Sequence, residues 1–382
     1  MRLGLRLGRH VDGIVDSYFG PGELAAEVDA APPVDPATLV ADAEALHAEL
    51  DEGWLRDQVA GLRTYAGVLA GEERSYADEV ERCYGVRPTY TDEAVFTAAH
   101  ERLEELLPGD GALAVRVERW RESMRVPADQ IEPIAAAVAE EARAWTRGLV
   151  DLPGGEEVQL EIVRDKPWLG YCEYVGDLRS RIAVNVDLPI SAMELIVLML
   201  HETYPGHHVE RCCKDRALVQ EQGLLEETIV MVPTPQSLVA EGIAVLAPEL
   251  VLESDGGAVL ASLVNDAGIE FDLGHAIAVT RAHDPCEWAE VNAALLLHEE
   301  RRSADEVRAY LERWALMTPQ LAGHLIRFLT EPTSRTYVMN YPAGRELCRA
   351  YVAGERVRFR RLLTEQVRVR ELVEARDLAR SR

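Results

Sequence analysis

The motif HETYPGHH, residues 201–208, constrains the fold of this chain more than any other stretch. It directly follows an apolar run, Leu195 to Leu200, which is typical of a buried helix. Before that run, Ser191 and Glu194 have the spacing of a capping box, in which each side chain satisfies a backbone N–H at the start of a helix. The pattern therefore predicts a buried helix that begins after Ser191 and reaches Glu202.

The same motif also predicts where this helix ends. Pro205 has no N–H to donate to the carbonyl of His201, and its ring crowds the preceding turn. Gly206 follows and tolerates backbone angles that other residues avoid. We therefore expect a break near Tyr204, with helical structure resuming at His207.

The histidines of the motif indicate a metal site. A His-Glu pair that emerges from a buried helix is typical of zinc hydrolases, in which the glutamate, here Glu202, is the general base. The usual second histidine lies four residues after the first, where this chain has Pro205. On a straight helix His207 would point about 240° away from His201, and His208 would lie about 10 Å further along the axis. A metal site at this motif therefore requires the helix break, which has to bring either His207 or His208 close to His201.

A third ligand is expected from a second buried helix. Thr234-Pro235 is typical of a helix start, and the apolar residues 236–246 that follow contain a single carboxylate, Glu241. A carboxylate in such surroundings is costly unless it is paired or binds a metal. Glu226 and Glu227 are rival candidates, although an adjacent acidic pair near a helix end is more often solvated.

Composition limits the possible partners and location. The 382 residues carry a formal net charge of −26, which argues against nucleic acid and anionic membranes as partners. The six cysteines have no CxxC spacing and are too sparse for a disulfide scaffold. The N-terminus lacks the apolar region of a signal peptide, and no apolar run approaches the length of a membrane span. A cytoplasmic location is the expectation.

Apolar periodicity predicts a mainly α fold. Residues 1–150 form an N-terminal helical region, and residues 151–382 form a metal-binding catalytic region that is continuous with it. Two segments with alternating polarity, Val158 to Val163 and Arg181 to Asp187, predict a small antiparallel β element before the active-site helix. The aromatic stretch between them, Trp168 to Tyr174, is expected to be irregular. The element is either an edge that pairs with an extended substrate or a hairpin that covers the core.

These residues also resemble a known family. HETYPGHH followed by Ala-Glu-Gly-Ile-Ala, residues 240–244, resembles the bacterial domain-of-unknown-function 885 family, whose members pair an HExxPGHH motif with an EGW-like motif. Residues 10–21, the Asn185 strand and residues 341–344 are also similar. That family is similar in turn to mainly helical gluzincin peptidases, such as the Taq-type carboxypeptidases and thimet-type oligopeptidases. Two departures are Ile243, in place of the usual tryptophan, and a chain shorter than many members.

The resemblance implies a helical zinc-peptidase-like fold with Zn²⁺ bound by His201, His207 and Glu241 and with Glu202 as the base. His207 is implied rather than His208 because the second ligand in those relatives follows a glycine, as His207 follows Gly206.

The predicted function is a zinc-dependent hydrolase that cleaves peptide or small amide substrates. Two histidines and one carboxylate leave a position for water, whose proton Glu202 would accept. Tyr341 is the candidate donor to the oxyanion, with Tyr337 and His208 as reserves. The sequence does not specify the substrate, exo- or endo-cleavage, or the oligomeric state.

Two other classes use the same residues. Two histidines and a carboxylate also form the triad of non-haem iron(II) oxygenases, although those enzymes do not need a carboxylate directly after the first histidine. A non-catalytic helical scaffold with a structural metal is the other alternative, and it predicts His208 as a fourth protein ligand.

Overall fold

The computed structural model describes residues 1–166, 169–187 and 189–381 and is mainly α-helical, as predicted. Because buried apolar faces recur at helical spacing along the chain, most segments between turn residues are helices. The helices are α1 (Arg2–Gly8), α2 (Gly22–Ala30), α3 (Pro36–Glu49), α4 (Trp54–Leu69), α5 (Tyr76–Tyr84), α6 (Glu93–Leu106), α7 (Leu113–Ser123), α8 (Ile131–Arg147), α9 (Ala192–Glu202), α10 (His207–Lys214), α11 (Pro235–Leu252), α12 (Asp255–Asp266), α13 (Leu273–His283), α14 (Trp288–His298), α15 (Ala304–Trp314), α16 (Pro319–Thr330), α17 (Asn340–Val352), α18 (Arg356–Thr364) and α19 (Val369–Arg380).

Two small sheets lie among these helices. In the first, β1 (Val15–Tyr18) pairs antiparallel with β5 (Ile229–Met231). The second has the order β2-β4-β3 and consists of β2 (Glu157–Val163), β3 (Gly170–Gly176) and β4 (Arg179–Asn185). The strands β3 and β4 form a hairpin whose two turn residues, Asp177 and Leu178, both have positive φ.

The predicted antiparallel element is partly wrong. The two strands predicted from the alternating pattern, β2 and β4, pair in parallel, and the antiparallel pair is β3 with β4. The reason is that residues 170–176, expected to be irregular, form a strand and occupy the hairpin position beside β4. Trp168, which began that stretch, lies outside the described residues.

A central core surrounds the two helices that carry the motif and Glu241. Its buried residues range from Tyr76 to Leu372, and α9 and α11 both contribute to it. Among the described residues, α11 is the one helix whose length and apolar composition would let it span a membrane, but 83% of it is buried inside the protein. A core helix meets the same criterion, so α11 is weak evidence for a membrane span. The division at residue 150 stays a prediction.

Candidate metal centre

The helix is interrupted where the sequence predicts. The capping box at Ser191 and Glu194 is present, α9 ends at Glu202, and α10 begins at His207. The peptide bond before Pro205 is cis. A Cβ atom on Gly206 would lie 1.8 Å from the carbonyl oxygen of His201, so only glycine allows the chain to turn back here.

This break brings His201 and His207 together beside Glu241 of α11. Nε2 of His201 lies 3.6 Å from Oε2 of Glu241, and Nε2 of His207 lies 3.4 Å from Oε1 of the same carboxylate. The two imidazole rings are nearly perpendicular, at 88°, with centroids 4.7 Å apart. One ligand atom from each of the three residues lies within 4.8 Å of the others, so the three form a candidate metal site.

In this cluster Glu241 and His207 hold each other in their charged forms, since Glu241 raises the pKa of His207 to about 9 against the effect of burial. Burial opposes ionisation of Glu241, but His207 and His201 outweigh it and lower the pKa of Glu241 to about 2. Burial lowers the pKa of His201 to about 4, which leaves a neutral imidazole with a lone pair. Oε2 of Glu241 is buried and accepts no hydrogen bond from the described residues. A metal ion would satisfy this oxygen, whose desolvation is otherwise uncompensated.

Glu202 has the environment expected of a general base. It is 7% exposed and lines the two cavities that meet at the cluster. Burial raises its pKa to about 7, with His207 acting in the opposite direction. A carboxylate with a pKa near neutrality is able both to accept and to return a proton at physiological pH.

His208 does not face this cluster. It is fully buried, and its Nδ1 lies 2.8 Å from the hydroxyl of Ser180, which donates to it. Its Nε2 donates to Oε2 of Glu156 over 3.1 Å, and Arg143 donates to the other oxygen over 2.7 Å. Of the two candidate histidines, the structure therefore places His207 beside His201. The expectation that His208 is a reserve oxyanion donor is wrong, because both of its nitrogens are engaged elsewhere.

Tyr337 and Tyr341 pack edge to face, with ring centroids 5.7 Å apart. The hydroxyl of Tyr337 donates to Oε1 of Glu241 over 2.8 Å. The hydroxyl of Tyr341 has no such partner among the described residues, and its side chain lines both cavities. Burial, reinforced by Glu241 and Glu202, raises the pKa of Tyr341, so this hydroxyl keeps its proton and is able to donate.

Two cavities meet at the cluster. The small cavity has a volume of about 260 Å³ and the large cavity about 630 Å³. Both are lined by His201, Glu202, Tyr341 and Gly170. Because β3 is at the end of its sheet in the described part of the chain, its first residues form an edge along this cleft. Of the two alternatives for the β element, this position favours the open edge.

Two further residues of the small cavity were not predicted. Asp16, on β1, accepts a hydrogen bond from the hydroxyl of Tyr171 over 3.1 Å, and Arg211 lies on α10. Arg211 is four residues after His207, so helical spacing alone was a sufficient signal for it. Asp16 reaches the site through the pairing of β1 with β5, which no local pattern encodes.

The rival ligand Glu227 lies outside the cluster. Its carboxylate accepts hydrogen bonds from Gln236 and Gln366. Glu226, the second rival, accepts one from Gln366. Glu241 is therefore the carboxylate that α11 places beside the histidines.

The fold has relatives among solved structures. A putative lipoprotein from Colwellia psychrerythraea matches with a TM-score of 0.54 and 15% identity, over 90% of this chain and 55% of its own. A putative lipoprotein of unknown function from Shewanella oneidensis matches with a TM-score of 0.52 and 10% identity, over 90% of this chain and 72% of its own. This chain thus spans about half the length of the first relative. At such identities the likeness shows a shared fold alone.

Other comparisons are weaker. A Pyrococcus furiosus carboxypeptidase in an apo-Mg structure matches with a TM-score of 0.46 and 13% identity, over 94% of this chain and 74% of its own, which is too low to establish a shared fold. No protein-family model and no curated protein matches the chain. The resemblance to the domain-of-unknown-function 885 family and the cytoplasmic location therefore both stay predictions. The chain is a mainly α-helical protein that carries a candidate His-His-Glu metal site.

Proposed function

We propose that this protein is a zinc-dependent hydrolase that cleaves peptide bonds or similar amides. The observation that carries the proposal is the cluster of His201, His207 and Glu241, with an unpartnered carboxylate oxygen, directly beside the buried Glu202. Two nitrogens and one carboxylate are a typical donor set of catalytic zinc, which keeps a fourth position open. A zinc ion held by these residues supplies Lewis acidity and lowers the pKa of water towards about 7.

The protein's own groups account for the proton transfers. Glu202 accepts a proton from the attacking water and delivers it to the leaving amine. Tyr341 donates a hydrogen bond to the carbonyl oxygen as negative charge develops on it. Tyr337 holds the carboxylate of Glu241 in the orientation in which it meets both histidines.

The cleft favours an extended substrate. The edge strand β3 runs past the cluster, and residues 170–172 and 174 line the small cavity. An extended peptide is able to add to such an edge through main-chain hydrogen bonds, with its side chains in the two cavities. Peptides are therefore the proposed substrate class.

The two alternative functions, a scaffold with a structural metal and a non-haem iron(II) enzyme, predict a different ligand set or a different metal. A structural zinc site needs four protein ligands, and the fourth candidate, His208, is bonded to Ser180 and Glu156 instead. A non-haem iron(II) enzyme would use the same three ligands, and metal analysis separates it from a hydrolase.

The experiment combines metal analysis with a peptide-library digest read by mass spectrometry. The purified protein is expected to hold about one zinc per chain. It should cleave the library, lose cleavage on chelation and regain it with zinc. The Glu202→Gln variant, of nearly identical size, should keep the zinc and lose about 10²–10⁴-fold in rate. Full activity of that variant, or iron in place of zinc, would refute the proposal.

A further inference from the structure

We propose that the large cavity binds a cationic group of the substrate, an ammonium or a guanidinium, with Glu290 as its counter-ion. This inference rests on the proposed hydrolase function and names the chemical class of residue that the site selects. Glu290 lies on α14, and its side chain lines the large cavity together with His201, Glu202 and Tyr341. A group bound against Glu290 is thus held beside the candidate metal centre.

The cationic groups in the wall of this cavity are already neutralised. Three arginines line it, and each forms ion pairs with carboxylates of the same wall. These pairs are Arg121 with Glu194, Arg281 with Glu253, and Arg345 with both Asp284 and Glu287. Among the residues that the structure describes, no arginine of the wall is therefore left to bind an anionic group such as a peptide carboxylate.

The carboxylates of this wall, unlike its arginines, are not all paired. Glu290 forms no ion pair or hydrogen bond with any residue in the described ranges, and Arg345 has to serve two carboxylates. Apart from Glu202, which has its own role in the reaction, Glu290 is the carboxylate of this wall that lacks a counter-charge. When it is ionised, Glu290 therefore places a negative charge without a counter-charge close to Tyr341, whose pKa is raised in part by Glu290.

The electrostatic surroundings of Glu290 agree with a missing cation. Burial and the neighbouring Glu287 raise the pKa of Glu290 to about 8, against the effect of Arg345. Burial also raises the pKa of Glu287 to about 7. Two neighbouring carboxyl groups with raised pKa values are stabilised in their ionised forms when a positive group binds beside them.

The shape of the cavity specifies what carries the positive charge. Apart from the ionic groups, its wall is largely apolar and includes Val197, Leu198, Leu252, Ile277, Leu316 and Met317. Its volume of about 630 Å³ exceeds what a single charged group requires. Long basic side chains bury an apolar stem and present a charged end, so lysine and arginine match both features.

The test uses alanine pentapeptides that carry a single lysine, or a single norleucine, at each position in turn. Zinc-loaded wild-type protein is expected to hydrolyse the best lysine peptide with a kcat/KM about tenfold or more above its norleucine counterpart, since charge-assisted hydrogen bonds in a partly dry site have this strength. In Glu290→Gln the ratio should fall to about one. Acetylated and free-amine versions of each peptide distinguish a lysine side chain from an amino terminus as the bound group.

Glu132→Gln is the matched control, because it removes the same charge from an exposed position on α8. It should leave the lysine-to-norleucine ratio unchanged. Glu290→Gln replaces a carboxyl group that is costly to ionise with an uncharged amide of the same size, so its unfolding midpoint should not fall. A ratio that stays the same in Glu290→Gln, or a wild-type preference for norleucine, would overturn the inference.

Calorimetric titration separates this inference from the proposed function. If no peptide is cleaved by any variant, the hydrolase proposal has failed, but the lysine and norleucine peptides can still be titrated into wild-type and Glu290→Gln protein. Tighter binding of the lysine peptide that is lost in Glu290→Gln supports the cationic site by itself. Equal binding of the two peptides to wild-type protein would refute it.

Discussion

His207 and His208 are neighbours in sequence and lie in opposite environments. His207 faces His201 and Glu241 at the junction of two cavities, where Glu241 has an oxygen without a hydrogen-bond partner. His208 is enclosed between Ser180 and Glu156, and both of its ring nitrogens are bonded. Successive residues of a helix point about 100° apart, so the start of α10 directs one imidazole into the cleft and the other into the core.

This contrast separates two uses of a buried histidine. The network around His208 is complete, since Arg143, Tyr204 and His208 all donate to Glu156. A complete buried network stabilises a fold and fixes the position of its elements. The cluster around His207 is incomplete without a further ligand, which is the property of a binding site. We therefore expect substitutions at the two histidines to have different consequences.

The largest effect is expected from His207→Ala. Loss of a direct ligand should lower zinc affinity by more than the roughly 10–100-fold that follows loss of a group that merely supports a ligand. Hydrolysis should disappear with the metal. Competition with a chromogenic chelator measures the affinity, and zinc binding equal to that of wild-type protein would show that His207 is not a ligand.

His208→Ala should show the reverse pattern. Removing the imidazole leaves Ser180 without its acceptor and takes one of the donors from Glu156, at a cost of about 3 kcal/mol in the free energy of unfolding. Urea denaturation of the chelated protein measures this loss, and the folded variant should still hold about one zinc per chain. If His208→Ala lost the metal without losing stability, the assignment of the two histidines would have to be exchanged.

Tyr341→Phe tests whether the hydroxyl beside the cluster of His201, His207 and Glu241 acts on the substrate. The variant keeps the ring and removes the one hydroxyl proposed to act on the substrate, so kcat should fall on the order of 10²-fold. Zinc content should not change, because Tyr341 makes no hydrogen bond to the ligands among the described residues. Tyr90→Phe, at an exposed position, is the control and should keep full activity. Unchanged kcat in Tyr341→Phe would exclude it as the oxyanion donor.

Local sequence rules were sufficient to predict much of the surroundings of His207. Pro205 followed by Gly206 predicts the end of α9, and Glu241 is the one carboxylate in the apolar stretch 236–246. If the motif binds a metal, the break has to bring one of the two histidines back to His201. The helix break and the position of Glu241 were therefore predictable from the residues, whereas the choice of His207 over His208 followed only from the family resemblance.

The surroundings of His208 and the position of Asp16 depend on contacts between distant segments. Glu156, the partner of His208, precedes it by 52 residues and lies directly before β2, which pairs in parallel with β4 where the sequence predicted an antiparallel pair. Asp16 reaches the cleft through a strand pair that joins the first 20 residues to residues near 230. No periodicity encodes such pairings, because a strand pattern specifies which face is buried and not which strand is its neighbour.

The smallest effect should come from Tyr337→Phe, which lowers the metal affinity of the cluster without removing any of its three ligands. The hydroxyl of Tyr337 donates to Oε1 of Glu241, the oxygen that also faces His207. Hydrogen bonds to a metal ligand orient it, and their loss costs about tenfold in metal affinity at the lower end of the usual range. With saturating zinc, kcat should return to the wild-type value, because the tyrosine acts on the carboxylate and not on the substrate. If saturating zinc failed to restore kcat, Tyr337 would have to contact the substrate itself, and the cluster would extend further into the cleft than the three ligands.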